Sequence, residues 1–443
     1  MSESTEAHYI HPDQLRIGLY IHLDLSWMDH PFPFSSFKIR NDGQIAQLRA
    51  LKLPRIRYSP EQSDAEPAPL PAATTSPAVG TETPEPVIEA ATPASTAEED
   101  PAIQAKRDRA ARLKARRDLF ARCERDFIRA THTVKLVAQN VINKPEWAKE
   151  ETTVLVNSLV DKLMVDGDMA VNLMADRIGG EDVYVHSLNV AVLSLMLARE
   201  QGMEREELVS LGLGAFFHDI GKLDVPAKVL LKQEPLTNAE NLLLREHVNF
   251  GSKIGARIGL TPDELSVVAQ HHEHVDGSGY PLGLTGERMT LLAKVVAIAN
   301  TYDNLCNPTN LQRAMTPHEA LALMYAQYRN RFEAAPLNTF IRCLGVYPPG
   351  TIVVLNNDAF GLVVSVNSSR PLKPDVLVYD ASIPKDEAII LSLEQEPEIQ
   401  IARTLRPGQL PKTIFDYLSP RKRVAYFFDT PEAADREDSV SNA

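Results

Sequence analysis

Residues 60–105 set the terms for the rest of the chain. The segment holds nine of the 31 prolines and nine acidic residues, from Glu61 to Asp100, with no Lys or Arg. Proline fixes φ and removes a backbone donor, and a run of like charges repels itself. A stretch of Pro, Ala, Thr, Ser and Glu cannot build a core and is predicted to be a disordered, extended tether. Whatever folds must fold on either side of it. The 443-residue length and 44% hydrophobic content leave room for more than one body.

The tether also carries most of the charge. The formal net charge is −13, of which 60–105 contributes −9 and 429–443 contributes −4, so the remainder is neutral. No basic surplus is left for a nucleic-acid polymer. The same distribution says nothing against a small anionic ligand, which responds to local charge. Cys123, Cys306 and Cys343 are odd in number and far apart, which excludes a disulfide scaffold and suits a reducing compartment. The N-terminus is polar and acidic, and no apolar run approaches the ~18–20 residues of a membrane span. The chain is therefore expected to be cytoplasmic.

The boundaries expected along the chain follow from composition. Residues 1–59 read as a small α+β module: Leu15–Leu23 alternates as a strand with a bend at Gly18, Ile45, Leu48 and Leu51 have helical spacing, and 54–58 closes as a strand. The tether occupies 60–105. Residues 106–150 are a basic helical connector, with ten basic against four acidic residues between Lys106 and Arg129, suited to a solvated face or a homodimer contact. Residues 151–335 are helical by period, with helices predicted over 164–178, 186–201, 208–220, 242–258 and 291–304. Residues 336–405 form a β-rich segment with strands near 351–355, 361–366 and 375–378, and 406–443 a polar tail.

Chemistry concentrates in the histidines, six of which fall between 186 and 274. A lone histidine is usually structural. His218-Asp219 and His271-His272, however, are adjacent pairs at the ends of apolar helices, with His247 between them. A buried carboxylate beside imidazoles calls for a cation. Nitrogen with carboxylate oxygen suits Fe, Mn, Zn or Ni better than Ca or Mg, and the surplus of ligands over one tetrahedral ion favours two or more metals.

These residues carry a family resemblance. His218-Asp219-Ile220-Gly221-Lys222 resembles the His-Asp-x-Gly-Lys signature of HD-superfamily phosphohydrolases. His271-His272-Glu273-His274-Val275-Asp276-Gly277-Ser278-Gly279-Tyr280-Pro281 resembles the HHExxDGxGYP motif of the HD-GYP family. His186-Ser187-Leu188-Asn189-Val190 and Arg245-Glu246-His247 are similar to its other ligand segments. The resemblance covers about 154–330, with 8–58 similar to the N-terminal module of one HD-GYP subgroup and 345–350 to the segment that follows the domain in it. It implies a mainly α fold, an HD-type helical bundle, and a bacterial phosphodiesterase that hydrolyses cyclic di-GMP to pGpG or GMP.

The resemblance further implies His186, His218, Asp219, His247, His271 and His272 as ligands of two or three divalent ions, Fe or Mn, with Asp219 bridging and Lys222 facing the scissile phosphate. Gly277, Gly279, Tyr280 and Pro281 would shape the substrate mouth. Glu273 and Asp276 either orient ligands or cap the loop. Two positions depart from the family pattern. Asn300 stands where an Asp ligand is usual, with Asp303 read as lying on another helical face. Thr309-Asn310-Leu311-Gln312 replaces an RPYR segment, leaving Arg313 as partial compensation at the phosphate. Asp182, four residues before His186, reads equally as a third-metal ligand or as a helix-terminal Asp. The alternative to an enzyme is a weak or inactive domain that binds cyclic di-GMP or a protein such as a diguanylate cyclase.

Overall fold

The computed structural model describes residues 8–25, 30, 32, 36–69, 101–165, 170–174, 182–367, 369–381, 383–385, 388–420 and 424–429. Of the tether expected over 60–105, residues 70–100 lie outside them, while 101–105 form the start of a helix. The chain divides into two compact units, Met1–Ala115 with Asp380–Glu387, and Arg116–Tyr379 with Ala388–Ala443.

In the first unit, β1 (His8–Ile10), β2 (Tyr20–His22), β3 (Ser36–Lys38) and β4 (Ile56–Tyr58) form an antiparallel sheet in the order β1-β4-β2-β3. Helix α1 (Asp42–Ala50) starts at Asn41, whose side chain accepts the Gln44 amide and caps the helix. Leu19, Ile21, Leu48 and Ile56 close a small core. The strand expected over 15–23 is shorter because Gly18 takes a left-handed φ of +97°. Residues expected to start the tether instead dock on this sheet: Asp64 N–H donates to the Gly18 carbonyl and Ala68 N–H to that of Gln14.

The second unit is mainly helical, as expected. Its helices are α2 (Pro101–Asn140, which begins in the first unit), α3 (Pro145–Met164), α4 (Asp182–Glu200), α5 (Arg205–Phe217), α6 (Ala227–Leu230), α7 (Asn238–Arg245), α8 (His247–Arg257), α9 (Pro262–Gln270), α10 (Leu291–Cys306), α11 (Pro317–Ala326) and α12 (Ala334–Leu344). Thr237, Thr261 and Thr316 each cap a helix, reciprocated by the Glu three residues on, and Pro stands at the first helical position of α9 and α11. Helix α4 is apolar around most of its girth, with Val190–Leu193 and Leu195–Ala198 buried, so it forms the centre of the bundle. A Cβ on Gly212 would lie 2.6 Å from Val156, and one on Gly214 would lie 2.8 Å from Val267. Both glycines let α5 approach α3 and α9.

Two stretches depart from the sequence expectation. Where a helix was predicted over 164–178, α3 ends at Met164 and 170–173 form a strand, β5 (Ala170–Leu173). The region predicted as a polar tail from 406 contains α13 (Lys412–Leu418) and β11 (Tyr426–Asp429), with Tyr426, Phe427 and Phe428 buried. These two strands pair, Tyr426 with Leu173 and Asp429 with Ala170, and complete a seven-stranded sheet. Its other strands are β6 (Ile352–Leu355), β7 (Phe360–Asn367), β8 (Asp375–Val378), β9 (Ile389–Ser392) and β10 (Ile401–Leu405), matching the β-rich segment expected there, although α12 extends into its first residues.

Candidate metal centre

The site is assembled where α5 ends. His218 follows the last turn of α5, and the chain then tightens into a 3-10 turn over Ile220–Asp224. Gly221 makes this possible: a Cβ there would stand 1.9 Å from the His247 carbonyl and 2.3 Å from the Gly251 amide. Only glycine allows that crossing, which sets His218-Asp219 against His247 at the start of α8. His271 and His272 arrive from the end of α9, and His186 from α4.

Hydrogen bonds behind the imidazoles define which nitrogen faces inward. His218 Nδ1 lies 2.6 Å from the Ala215 carbonyl, His247 Nδ1 2.6 Å from that of Leu244, and His271 Nδ1 2.9 Å from that of Val268. A carbonyl only accepts, so each Nδ1 carries the proton and each Nε2 of the neutral ring presents a lone pair. The lone pairs of His247 and His271 point at each other, their Nε2 atoms 3.2 Å apart. Two acceptors at that distance repel, and a shared cation resolves the clash. His218 Nε2 in turn lies 3.3 Å from Nε2 of His186.

Asp219 lies between the two groups. Its Oδ2 is 3.3 Å from Nε2 of both His186 and His218, and its Oδ1 is 3.3 Å from His247 and 3.7 Å from His271. Oδ1 is buried without a hydrogen-bond partner. The donor atoms form two sets sharing Asp219: Asp219, His247, His271 and His272, and His186, His218 and Asp219, each within 4.8 Å. An orphaned carboxylate oxygen among imidazole nitrogens is a donor set that fits divalent metal.

The electrostatics agree. Burial works against an ionised Asp219, but Lys222 and the surrounding histidines outweigh it and hold the carboxyl well below its usual range. Burial, reinforced by neighbouring imidazoles, holds His271 and His272 well below the ordinary histidine value, and burial also lowers His247. Ionised carboxylate and neutral imidazole are the ligating forms. His186 differs. Burial opposes its charge, yet hydrogen bonds to Asp219 and Asp303 raise it to about 9.

That second carboxylate is the residue the sequence reading set aside. Asp303 is fully buried, and its Oδ2 sits 2.6 Å from His186 Nδ1, so it fixes the ring with Nε2 toward Asp219. Asn300, also buried, engages its Oδ1 with Asn304 Nδ2 at 2.7 Å. Asp182 opens α4, and its side chain lies outside the described residues.

The Lys222 ammonium donates to Asp219 Oδ2, a buried anion three residues back. The His271–Pro281 loop folds around Glu273, which is fully buried and accepts the Leu282 and Leu284 amides at 2.7 and 2.8 Å. Glu273 therefore braces the loop, and Asp276 caps it by accepting the Ser278 amide. Gly277 has φ +78°, and a Cβ on Gly279 would meet Glu273 Cα at 2.4 Å. The Tyr280 ring stacks on His272 with centroids 4.5 Å apart, and the Arg245 guanidinium lies 4.6 Å from the same ring, while Pro281 is exposed. Arg313 is exposed in a short 3-10 turn, and among the described contacts no hydrogen bond or ion pair joins it to the histidines.

Comparison with known proteins follows this geometry. The HD domain family matches residues 141–335. A domain of unknown function (DUF3391) matches 8–152, and a KOW domain associated with HD domain matches 352–413. The cyclic di-GMP phosphodiesterase PA4108 of Pseudomonas aeruginosa is 29% identical over 379 residues, covering 83% of each chain. The cyclic di-GMP phosphodiesterase response regulator RpfG of Xanthomonas campestris is 32% identical over 168 residues, covering 38% of this chain and 44% of the relative. A solved structure of Bd1817, an HDG"Y"P protein of Bdellovibrio bacteriovorus, aligns with 76% of this chain and 98% of that one at a TM-score of 0.41 and 16% identity. Among the described residues no helix is long and apolar enough to cross a membrane.

Proposed function

Residues 141–335 are an HD domain and the chain is homologous to HD-GYP cyclic di-GMP phosphodiesterases, and from that premise we propose that it is a metal-dependent phosphodiesterase cleaving cyclic di-GMP to pGpG, GMP or both. The observation that carries this reading is Asp219, whose two oxygens each address a separate set of inward-facing imidazole nitrogens while Oδ1 has no hydrogen bond of its own.

His186, His218, His247, His271, His272 and Asp219 hold two divalent ions, Fe or Mn, with Asp182 available to a third and Asn300 offering an uncharged oxygen. When bound, such ions supply Lewis acidity toward a phosphoryl group and lower the pKa of water. The chain's own groups do the rest. Backbone carbonyls keep Nδ1 protonated on His218, His247 and His271, so their Nε2 atoms need no reorganisation. Lys222, side chain one-third exposed beside Asp219, places a positive charge where a phosphodiester gains negative charge. The Arg245–Tyr280–His272 stack gives a flat, cationic wall for a purine base. Gly277 and Gly279 let that loop close against the ligand histidines.

The test is turnover of cyclic di-GMP by the full chain purified with Mn or Fe, with products separated by chromatography. The double variant His218→Ala, Asp219→Ala is expected to lose turnover at least a thousandfold. Unchanged turnover would overturn the reading, and tight binding without product in the wild type would make the chain a receptor instead.

A further inference from the structure

Asp303 anchors more than His186. Its Oδ1 accepts two amide donors from two different helices: Asn189 Nδ2 on α4 at 2.7 Å, and Asn307 Nδ2, just beyond α10, at 2.8 Å. Each amide spends its other hydrogen on one and the same backbone atom, the Val424 carbonyl, at 2.8 Å. Their oxygens are also used on this segment, Asn307 Oδ1 accepting Val424 N–H at 2.7 Å and Asn189 Oδ1 accepting Tyr426 N–H at 3.0 Å. Because both oxygens receive backbone donors, the orientation of the two amides is fixed by the network. Tyr426 meets α10 through its hydroxyl, 3.0 Å from that of Tyr302.

We infer that Asn189 and Asn307 are positioning residues that couple the C-terminal strand, β11, to the metal-facing imidazole of His186. This rests on the reading of His186 as a ligand. The path has three bonds: strand backbone to paired asparagine amides, amides to Asp303 Oδ1, and Asp303 Oδ2 to His186 Nδ1. Asp303, Asn189 and Tyr426 are fully buried and Asn307 is half-buried, and a buried polar network responds strongly to the loss of a member. A displaced strand withdraws donors from Asp303 and loosens the carboxylate that holds the ring. The opposite end of the strand touches α2, with Phe427 against Phe127 at 6.1 Å between centroids and Cys123 Sγ near the Phe428 carbonyl. The strand thereby links α2 to a metal ligand.

The experiment uses full-length protein loaded with Mn(II), challenged with graded chelator, and assayed for retained Mn per chain by mass spectrometry beside a circular dichroism melt. Asn307→Ala and Asn189→Ala are expected to release metal at roughly tenfold lower chelator than wild type, the range found for groups that orient metal-binding histidines. Arg406→Ala, which breaks only the exposed pair to Glu319, is expected to release it at the wild-type point. Folded Asn307→Ala with a lowered melting temperature but wild-type release would overturn the coupling. A second measurement needs no variant: Mn should slow hydrogen exchange at the Val424 and Tyr426 amides more than in β9, and equal protection would overturn it. His218→Ala separates the two readings. If it strips metal while Asn307→Ala does not, only the coupling fails; if it leaves metal retention unchanged, the metal reading fails and takes the coupling with it.

Discussion

His22 and His247 are both partly or wholly buried histidines with both ring nitrogens accounted for, yet they do different things. His22, in the N-terminal sheet, lies between two hydroxyls: Nδ1 is 2.9 Å from Ser36 Oγ and Nε2 2.8 Å from Ser59 Oγ. A hydroxyl donates or accepts, so either tautomer is satisfied and nothing further is called for. His247 is fixed by a carbonyl at Nδ1 and meets a second imidazole lone pair at Nε2. The difference is the partner's chemistry, since burial alone does not separate the two. A histidine whose second nitrogen faces another acceptor is short of a cation, and one clamped by hydroxyls is complete.

This contrast can be broken directly. His271→Ala should lower Mn retention at least a hundredfold, whereas His22→Ala should leave it unchanged; chelator titration of each full-length variant decides, and equal retention would erase the distinction. Asp303→Asn keeps the shape but removes the carboxylate behind His186. It is expected to weaken metal retention about tenfold, with turnover falling in parallel. Retention at the wild-type level would mean that the Asp303 bond does not orient the ligand. The smallest effect concerns His22 itself. Burial, aided by Arg57 and opposed by Asp24, lowers its pKa below the ordinary 6.5. The folded state therefore favours the neutral ring. Its contribution is fully present above about pH 6.5 and is lost as pH falls toward the depressed folded value, because the unfolded chain takes up the proton first. Hydrogen exchange at 20–22 and 56–58, corrected for intrinsic rate, should report weaker protection at pH 5.5 than at 7.5, and His22→Asn should abolish that difference.

Much of the candidate site was legible because its titratable groups come in adjacent pairs: His218-Asp219 and His271-His272 stand out without any knowledge of the fold, and the structure brings both pairs together. Asp303 was not. It was assigned to another face than Asn300, but three residues turn a helix by about 300°, leaving the two within about 60° of each other. The tautomers were also invisible, since they depend on the carbonyls of Ala215, Leu244 and Val268. In the fold, helices with caps and period could be read locally. Strands β5 and β11 could not, because 170–173 lie inside an apolar helical pattern and 424–428 follow three basic residues in a charged region. Their pairing joins segments some 250 residues apart, and no local pattern encodes a partner at that distance. The Lys222–Asp219 ion pair also went unread, although the two residues lie only three apart.

That late pairing has a consequence for the order of assembly. Every candidate ligand is synthesised by residue 300, and Asp303 follows at once. The Val424 amide that completes the Asn307 clamp comes 117 residues later, about 6–23 s of synthesis at ordinary translation rates. Through that interval the nascent chain carries its histidines and Asp303 without the backbone partner shared by Asn189 and Asn307. The segment that clamps the Asp303 network is thus the last of its members to be synthesised.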